Sequence, residues 1–437
     1  MNIKLTLYLT AVLALAIVAV VFVVNPRQKS IEHKEAGAKM VFHVRAADIT
    51  GMTIRNKNGS FVLHKGTDGG WRIASPVTTS ADTAVVAPIA SSLAALKYEK
   101  MIGALDPAAF GLIPARITAT VTTASRATYT LRIGTPAPIG YYRYAEATNG
   151  TPGIFTVSDA LRQQLDDTLF QLRDKGMLRL DRSDIAAVAF TERARPVFTL
   201  ARQKGTWVFT RPSYNRVKAS VINDMMLRLA NMEATDIMDG KQNMKRMGLE
   251  KPSKVISIRL MNNKLYTVAI GNDAGSNGVY ATVSGRGPVY VTNAASVSAF
   301  TGPVADMIDH GLLSQNRYAV SSVKVTMGKK TALLTKKSYN VWDRNGAAFT
   351  DVTDVNNLLD ALTSLRARRF VRSRGTLRHA PVTLTVVGTG SPTTTTISIG
   401  GRADGIVYAR TSIDPRLAEL KPADAAAVET SARNVLK

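Results

Sequence analysis

Apolar residues occur along the chain as one unbroken run near the N-terminus and then as many short alternating runs. The unbroken run, Leu5–Val24, is twenty residues long and contains no charge. As a helix rising about 1.5 Å per residue it would span about 30 Å, the thickness of a bilayer's hydrocarbon core. The sequence therefore predicts an uncleaved transmembrane anchor at 5–24, preceded by a short cytoplasmic tail at 1–4. A cleaved signal peptide and a buried core helix are the alternatives.

The predicted anchor also indicates where the rest of the chain lies. Residues 25–46 are polar and are predicted to form a linker, and no second apolar run of comparable length follows them. A very short tail before a long polar chain is typical of a signal anchor, although the Lys and Arg residues beside the run do not decide its orientation. We expect a single-pass protein of the cell (inner) membrane with most of the chain extracytoplasmic, in the periplasm.

The chain after the linker repeats one pattern three times. Trp71, Trp207 and Trp342 are separated by 136 and 135 residues. Other elements recur at nearly the same spacing: Pro76 and Pro212, Phe110-Gly111-Leu112 and Met247-Gly248-Leu249, Gly134, Gly271 and Gly400, and then Tyr142, Tyr280 and Tyr408. A fixed period of this kind is typical of repeated modules. We predict repeat modules at 47–181, 182–315 and 316–437.

Each module has the pattern of strands and two amphipathic helices. In the first module, alternating runs predict a three-stranded meander and four further strands. One helix is predicted over Thr83–Leu96 with Asp82 as its N-cap, and a second from Ser158 to about Leu172. A helix with one apolar face is covered economically by a sheet. The predicted fold class is α+β: an N-terminal transmembrane helix followed by three tandem repeats, each an antiparallel sheet with two packed helices.

The composition excludes several kinds of chemistry. The 437 residues include no cysteine, so disulfides, thiol nucleophiles and cysteine-bound metals are excluded. The five histidines follow no metal-ligand spacing, and the glycine-rich stretches lack the spacing of nucleotide-binding loops. We therefore predict no catalytic residues, no cofactor, no metal and no enzyme activity. A hydrolase whose site is assembled between modules is the alternative.

Charge is the strongest indication of a partner. The net charge is +24, and six arginines lie within thirteen residues: Arg366, Arg368, Arg369, Arg372, Arg374 and Arg378. One or two cations at a helix C-terminus stabilise it by about 0.3–1 kcal/mol each, and six exceed that need. We interpret them as a docking patch for an anionic polymer, lipid headgroups or an acidic protein, with a solvated surface as the alternative. Few aromatic residues and no known recognition module argue against nucleic acid.

The repeated tryptophans admit two interpretations. Exposed indole rings could stack on a ligand, whereas rings at the same strand position of each module would pack between sheet and helix. We predict that Trp71, Trp207 and Trp342 are packing anchors of the repeats.

The order of these motifs resembles a known family. Gly70-Trp71-x-Ile-x-x-Pro76, Phe110-Gly111-Leu112, an Ile-Gly pair followed by Tyr141-Tyr142, and Leu172-Arg173-Asp174-Lys175 are similar to the uncharacterised domain of unknown function 4340 family. The resemblance is clearest over residues 70–190. It implies a single-anchor envelope protein, an auxiliary extracytoplasmic part of ABC-type transporters of the gliding-motility type, and no catalytic residues.

Two functions are therefore expected from the sequence. The first is a non-catalytic, membrane-anchored extracytoplasmic accessory or scaffold protein of an ABC-type transport complex, with integral-membrane transporter subunits as partners. The alternative is an independent binding module for anionic envelope polymer or a membrane surface through the basic patch.

Overall fold

The computed structural model describes residues 39–437 except for 204, 372–376, 378–379, 389–392 and 404. The predicted anchor at 5–24 and most of the linker lie outside this range. So do Arg372, Arg374 and Arg378 of the predicted docking patch. Across the described residues, no helix combines the length and the apolar character needed to cross a bilayer.

The fold is mainly β, and the predicted α+β class is wrong. Strands account for 47% and helices for 21% of the structure, and the strands form three nine-stranded antiparallel sheets. The three sheets have the same strand order, so the predicted threefold internal repeat is confirmed.

The first sheet has the order β4-β3-β2-β1-β6-β7-β8-β9-β5. Its strands are β1 (Ile49–Asn56), β2 (Gly59–Lys65), β3 (Trp71–Ser75), β4 (Thr79–Ser80), β5 (Met101–Gly103), β6 (Ile117–Thr123), β7 (Thr128–Pro136), β8 (Tyr142–Thr148) and β9 (Ile154–Ser158). The helices of this module are α1 (Thr83–Ala94), α2 (Asp159–Leu165) and α3 (Leu169–Leu172).

The second sheet repeats this order as β13-β12-β11-β10-β15-β16-β17-β18-β14. Its strands are β10 (Ile185–Glu192), β11 (Arg195–Gln203), β12 (Thr206–Arg211), β13 (Asn215–Arg216), β14 (Ala234–Met238), β15 (Lys254–Leu260), β16 (Leu265–Gly275), β17 (Gly278–Val283) and β18 (Val289–Asn293). Its helices are α4 (Ala219–Ala230), α5 (Ala295–Ser298) and α6 (Val304–Met307).

The third sheet has the order β22-β21-β20-β19-β24-β25-β26-β27-β23. Its strands are β19 (Val320–Met327), β20 (Lys330–Ser338), β21 (Val341–Arg344), β22 (Ala347–Phe349), β23 (Ala367–Val371), β24 (Val382–Gly388), β25 (Thr394–Ala403), β26 (Ile406–Thr411) and β27 (Asp414–Leu420). Its helices are α7 (Val352–Ser364) and α8 (Pro422–Asn434).

Alternation along each central strand determines which sheet face is buried. In β6, buried Ile117, Ala119 and Val121 alternate with half-buried threonines. Side chains point to opposite faces at every second residue, so one face joins the core and the other stays polar. The first core is completed by α1, whose Val86, Ile89 and Leu93 are buried among the sheet residues.

Two details of the predicted elements are corrected by the structure. The short strands at the sheet edges, β4 and β5 in the first module, are too brief to show a period that could be predicted. The predicted second helix, from Ser158 to Leu172, is broken into α2 and α3. The break is explained by local chemistry, because Thr168 and Gln171 form a capping box that starts a new helix at Leu169.

The sheet register also corrects the tyrosine alignment. Three buried Ile–Ala pairs mark equivalent positions: Ile133 and Ala145, Ile270 and Ala281, and Ile399 and Ala409. Each alanine is directly preceded by a tyrosine. The equivalent of Tyr280 and Tyr408 is therefore Tyr144, and not Tyr142.

The recurring glycine motifs are explained by a close backbone approach. A methyl group on Gly134 would lie 2.2 Å from the carbonyl oxygen of Phe110, and one on Gly271 would lie 2.1 Å from that of Met247. The Ile-Gly motif therefore makes room for the turn that contains the Phe/Met-Gly-Leu motif.

By its internal contacts the described chain divides into two compact units. One contains the residues up to Met177 together with Glu233–Gly240 and Pro288–Val291. The other contains Leu178–Met232, Lys241–Gly287 and Thr292–Lys437. The boundary between units therefore does not coincide with the repeat boundaries, because β14 belongs to the first unit.

Candidate functional site

Three of the six predicted docking arginines lie in or beside an edge strand of the third sheet. Arg366 directly precedes β23, and Arg368 and Arg369 lie within it, next to β27. All three are exposed. The structure thus places half of the predicted patch on one edge, where basic side chains also discourage pairing with another strand.

These three arginines have different surroundings. The Arg366 guanidinium donates to the carbonyl oxygens of Thr363 at 2.8 Å and Leu365 at 3.2 Å, at the end of α7. Arg369 donates through Nε to Glu419 Oε2 at 2.7 Å, and this hydrogen bond raises the pKa of Arg369. Arg368 has no hydrogen-bond or ion-pair partner within the described part of the chain. Of the three arginines that the structure describes, Arg368 is therefore the one whose guanidinium is fully available to an anion.

The three tryptophans differ in burial. Trp71 and Trp342 are buried in the cores of the first and third modules, and Trp207 is half-buried. No described tryptophan is exposed enough to offer an open stacking surface. The packing role stays a prediction for all three tryptophans; the burial of Trp71 and Trp342 is compatible with it.

A turn to which sequence reasoning assigned no role joins consecutive repeats. In the first compact unit, the Gly176 amide donates to Asp174 Oδ1 at 2.8 Å, and the Ala234 amide donates to the Lys175 carbonyl at 2.9 Å. Gly176 and Glu233 form an antiparallel bridge. The segment after α3 is thus paired with the start of β14. We call this arrangement the first joint.

The second compact unit contains the same arrangement, the second joint. The Gly311 amide donates to Asp309 Oδ1 at 2.8 Å, and the Ala367 amide donates to the His310 carbonyl at 2.8 Å. Gly311 and Arg366 form the equivalent antiparallel bridge. Here the segment after α6 is paired with the start of β23. The two joints therefore have the same backbone contacts with different side chains.

Ion pairs support each joint. In the first joint, buried Arg173 donates to Asp239 at 2.7 Å. In the second joint, buried Arg216 pairs with Asp309. Removal of either aspartate would leave a buried arginine without a compensating charge.

Arg416 connects the second and third modules. Its guanidinium donates to the Tyr214 carbonyl at 2.8 Å and to Asn215 Oδ1 at 2.9 Å. It also pairs with fully buried Asp414 at 2.9 Å, and it lies 5.3 Å and 4.8 Å from the ring centres of Tyr214 and Phe370. Planar stacking and a fork of donors are properties that lysine would not supply.

His310 is the titratable group of the second joint. Its ring stacks on Phe370 with the ring centres 6.3 Å apart and the planes 8° apart. Its Nδ1 is buried without a hydrogen-bond partner among the described residues. Burial lowers the pKa of His310 below its ordinary value of 6.5, with Lys218 and Arg416 acting in the same direction and Asp309 opposing them.

Sequence reasoning missed the joints because their residues are separated in sequence. Arg416 lies about 200 residues from its partner Tyr214, and nothing in the spacing connects them. The available signal was the paired motif Gly176-Met177-Leu178 and Gly311-Leu312-Leu313, which marks the same turn in both joints. Within the described ranges, no group of three His, Asp or Glu side chains is placed to hold a metal ion.

Comparison with known families places the chain in one of them. The family described as Domain of unknown function (DUF4340) matches residues 71–243 and 207–383. Each match begins at a repeated tryptophan and continues past the following joint, so it covers most of one repeat and the first part of the next. No curated protein matches the sequence. Because the two matches together cover more than half of the 437 residues, the chain belongs to the Domain of unknown function (DUF4340) family.

Proposed function

We propose that this chain is a non-catalytic, membrane-anchored extracytoplasmic scaffold, the accessory part of an ABC-type transport complex. The proposal is supported chiefly by the recurrence of one joint at both repeat boundaries. The same backbone pairing recurs at both boundaries, each with a buried arginine paired to a partly exposed aspartate, and this regular construction suits a scaffold protein. The anchor predicted at 5–24 would attach this scaffold to the membrane beside its partner.

The transporter role comes from the family resemblance. The family resembles auxiliary envelope proteins of gliding-motility-type transporters, and the scaffold architecture is compatible with such a role. The expected partners are integral-membrane transporter subunits, and no part of the proposal requires a cofactor or nucleic acid.

Co-purification from native membranes tests the scaffold role. The tagged full chain, extracted in mild detergent, is expected to bring down an ATPase and a permease, identified by mass spectrometry. A variant with the Arg416→Ala substitution is expected to retain less partner, because the second joint loses its fork of hydrogen bonds. Arg433→Ala, an exposed arginine on α8, is the matched control. Recovery of the intact chain without any membrane partner would reject the role.

A second function is favoured by the distribution of charge. The net charge rises from +3 in residues 47–181 to +7 in 182–315 and +10 in 316–437. Together with exposed Arg368, this gradient supports binding of an anionic polymer or membrane surface by the third module.

Sedimentation with anionic vesicles or cell-wall polymer tests this second function. Arg368→Ser combined with Arg372→Ser should weaken binding and make it less sensitive to salt. Arg195→Ser combined with Arg286→Ser removes the same charge from exposed sites in the second module and serves as the control. Equal binding by both double variants would exclude the patch as the site.

A further inference from the structure

The hairpin between β7 and β8 exposes large apolar side chains to solvent. Ile139 is 86% exposed and Tyr141 is 90% exposed, the highest values among the large apolar residues of the described chain. Ile113, 59% exposed, lies at the same end of the sheet, because the turn at Phe110 packs against Gly134 just before the hairpin. Adjacent exposed apolar residues at one sheet end indicate a contact surface.

The repeats provide an internal comparison for this hairpin. The equivalent loop after Gly271 is Asn-Asp-Ala-Gly-Ser-Asn-Gly, and the one after Gly400 is Gly-Arg-Ala-Asp-Gly. Both are polar turns, whereas the loop after Gly134 is Thr-Pro-Ala-Pro-Ile-Gly-Tyr-Tyr. The number of residues between the paired Ile and Ala differs among the modules. The first module has one residue more than the second and two more than the third. The fold therefore requires a turn here and does not require an apolar one.

The hairpin is held in a defined conformation. The Ala137 amide donates to the Tyr142 carbonyl at 2.9 Å, and the Asp159 amide donates to the Tyr141 carbonyl at 2.8 Å. Gly140 has a φ of +77°, which only glycine adopts readily. Ile139 and Tyr141 are thus presented to the outside by an ordered turn, so little conformational entropy is lost when they bind.

Arg116 gives the end of the sheet at the hairpin a positive charge that is unpaired within the described part of the chain. Residues 107–119 and 134–145, which meet at this sheet end, contain Arg116 and Arg143; of the acidic residues directly beside these ranges, Asp106 and Glu146, the second is paired with Arg132 at 3.2 Å. Arg116 is exposed. The adjacent Asp159 is already paired with Arg143 at 2.6 Å and with Arg162 at 2.7 Å, so its charge is compensated.

The predicted anchor lies close enough in sequence to bring this end of the module to the membrane. The chain enters the first module beside the turn after β8, where the Thr151 amide donates to the Val41 carbonyl. That turn and the hairpin are separated by the length of β8, about 23 Å for its seven residues. Residues 25–38 can span up to about 48 Å when extended. The linker is therefore long enough for the hairpin to reach the bilayer surface.

We propose that the Ala137–Tyr142 hairpin inserts Ile139 and Tyr141 into the interface of an anionic lipid bilayer. An aliphatic side chain would enter the acyl boundary, tyrosine would lie at headgroup depth, and Arg116 would contact lipid phosphates. This inference rests on the membrane anchoring of the proposed function and does not depend on a transporter partner.

Site-directed spin labelling of the full chain tests the insertion. Because the sequence contains no cysteine, Ile139→Cys and Ser276→Cys each introduce one labelling site, the second in the equivalent polar loop of the second module. The chains are reconstituted in nanodiscs of phosphatidylethanolamine and phosphatidylglycerol. Collisions of the nitroxide with oxygen and with a water-soluble nickel chelate are then measured.

The inserted hairpin predicts a specific order of accessibility. The label at 139 should collide more with oxygen and less with nickel chelate than the label at 276. Adding Tyr141→Ser to the Ile139→Cys chain should restore collisions with nickel chelate. Equal nickel accessibility at both sites, in chains that remain bound to nanodiscs, would overturn the insertion and leave the anchor standing.

Two other outcomes separate this inference from the proposed function. If the chains do not stay with the nanodiscs, anchoring and insertion both fail. Protection at 139 that appears in native membranes but not in pure lipid would identify a protein as the occupant and would also reject the insertion. Protection in pure lipid, with no partner recovered from native membranes, would support the insertion and reject the scaffold role.

Discussion

At the residue scale, the recurring glycines mark a backbone contact. Gly134 lies so close to the Phe110 carbonyl that any side chain at this position would push β7 and the turn at Phe110 apart. This explains why a motif of only two residues recurs, and why it recurs together with the Phe/Met-Gly-Leu motif. In sequence, the third module has the Ile-Gly motif as Ile399-Gly400 but lacks Phe/Met-Gly-Leu, so this contact explains the glycines of the first two modules only.

The first prediction concerns this contact. Gly134→Ala should lower the free energy of unfolding by about 1–3 kcal/mol, because the added methyl group has no room. Gly287→Ala is the control, since nothing lies within 4 Å of the position that its methyl group would occupy. Urea denaturation of both variants measures the effect. Equal stability of the two variants would contradict the steric explanation.

The second prediction concerns Asp159, which fixes the apolar hairpin. Hydrogen bonds from Arg162 and then from Arg143 lower the pKa of Asp159 from 3.8 to about 2. The folded state therefore favours the carboxylate, and the resulting stability is present above pH 3.8 and is lost as the pH falls towards 2. Asp159→Asn should cost about 1–2 kcal/mol at neutral pH, allowing for partial exposure, and less in acid.

Asp68→Asn provides the comparison for that measurement. Asp68 pairs with Arg72 at 2.9 Å, but both side chains are largely exposed, so the substitution should change stability little. If the stability lost through Asp159→Asn does not become smaller in acid, the ion pairs of Asp159 are not the source of that stability.

At the element scale, the long alternating strands and the capped first helix could be predicted from the sequence. Observed α1 begins at Thr83 as predicted, and Asp82 accepts a hydrogen bond from the Ala84 amide at 3.0 Å. Strands of two or three residues, such as β4 and β5, could not be predicted, because so few residues show no period. Their omission is one reason why the sequence suggested α+β for a fold that is mainly β.

The candidate site was predictable only in part. The arginine run was visible in the sequence, but its separate contacts were not. Arg366 contacts the end of α7, Arg369 contacts Glu419, and only Arg368 is exposed without a partner among the described residues. The joints depend on residues that are distant in sequence, and a single sequence contains no information on such pairs.

The third prediction concerns the second joint. Because the folded joint disfavours protonated His310, the unfolded chain binds more protons just below the ordinary pKa of 6.5. The free energy of unfolding should therefore fall as the pH decreases below 6.5 and should be fully present above it. His310→Gln should reduce this dependence, whereas His64→Gln, a substitution at an exposed position of β2, should not. An identical pH profile for wild type and His310→Gln would contradict the prediction.

At the scale of the whole molecule, two compact units are expected to unfold separately. Scanning calorimetry of the full chain should show more than one unfolding transition. The reason is that the contacts of residues 39–437 are concentrated inside each unit. Arg416→Ala should shift only the transition of the unit that contains the second joint. A single transition whose calorimetric and van't Hoff enthalpies agree would contradict this division.

The short outer strands have a consequence for how such a chain folds. Three sheets of equal strand order in one polypeptide create an opportunity for a strand to pair with the wrong copy. Each sheet ends on one side in a strand of only two or three residues, β4, β13 or β22. Such brief borders offer few free amides and carbonyls to a neighbouring copy. On this side of each sheet, tandem duplication therefore adds little backbone with which a neighbouring copy could pair wrongly.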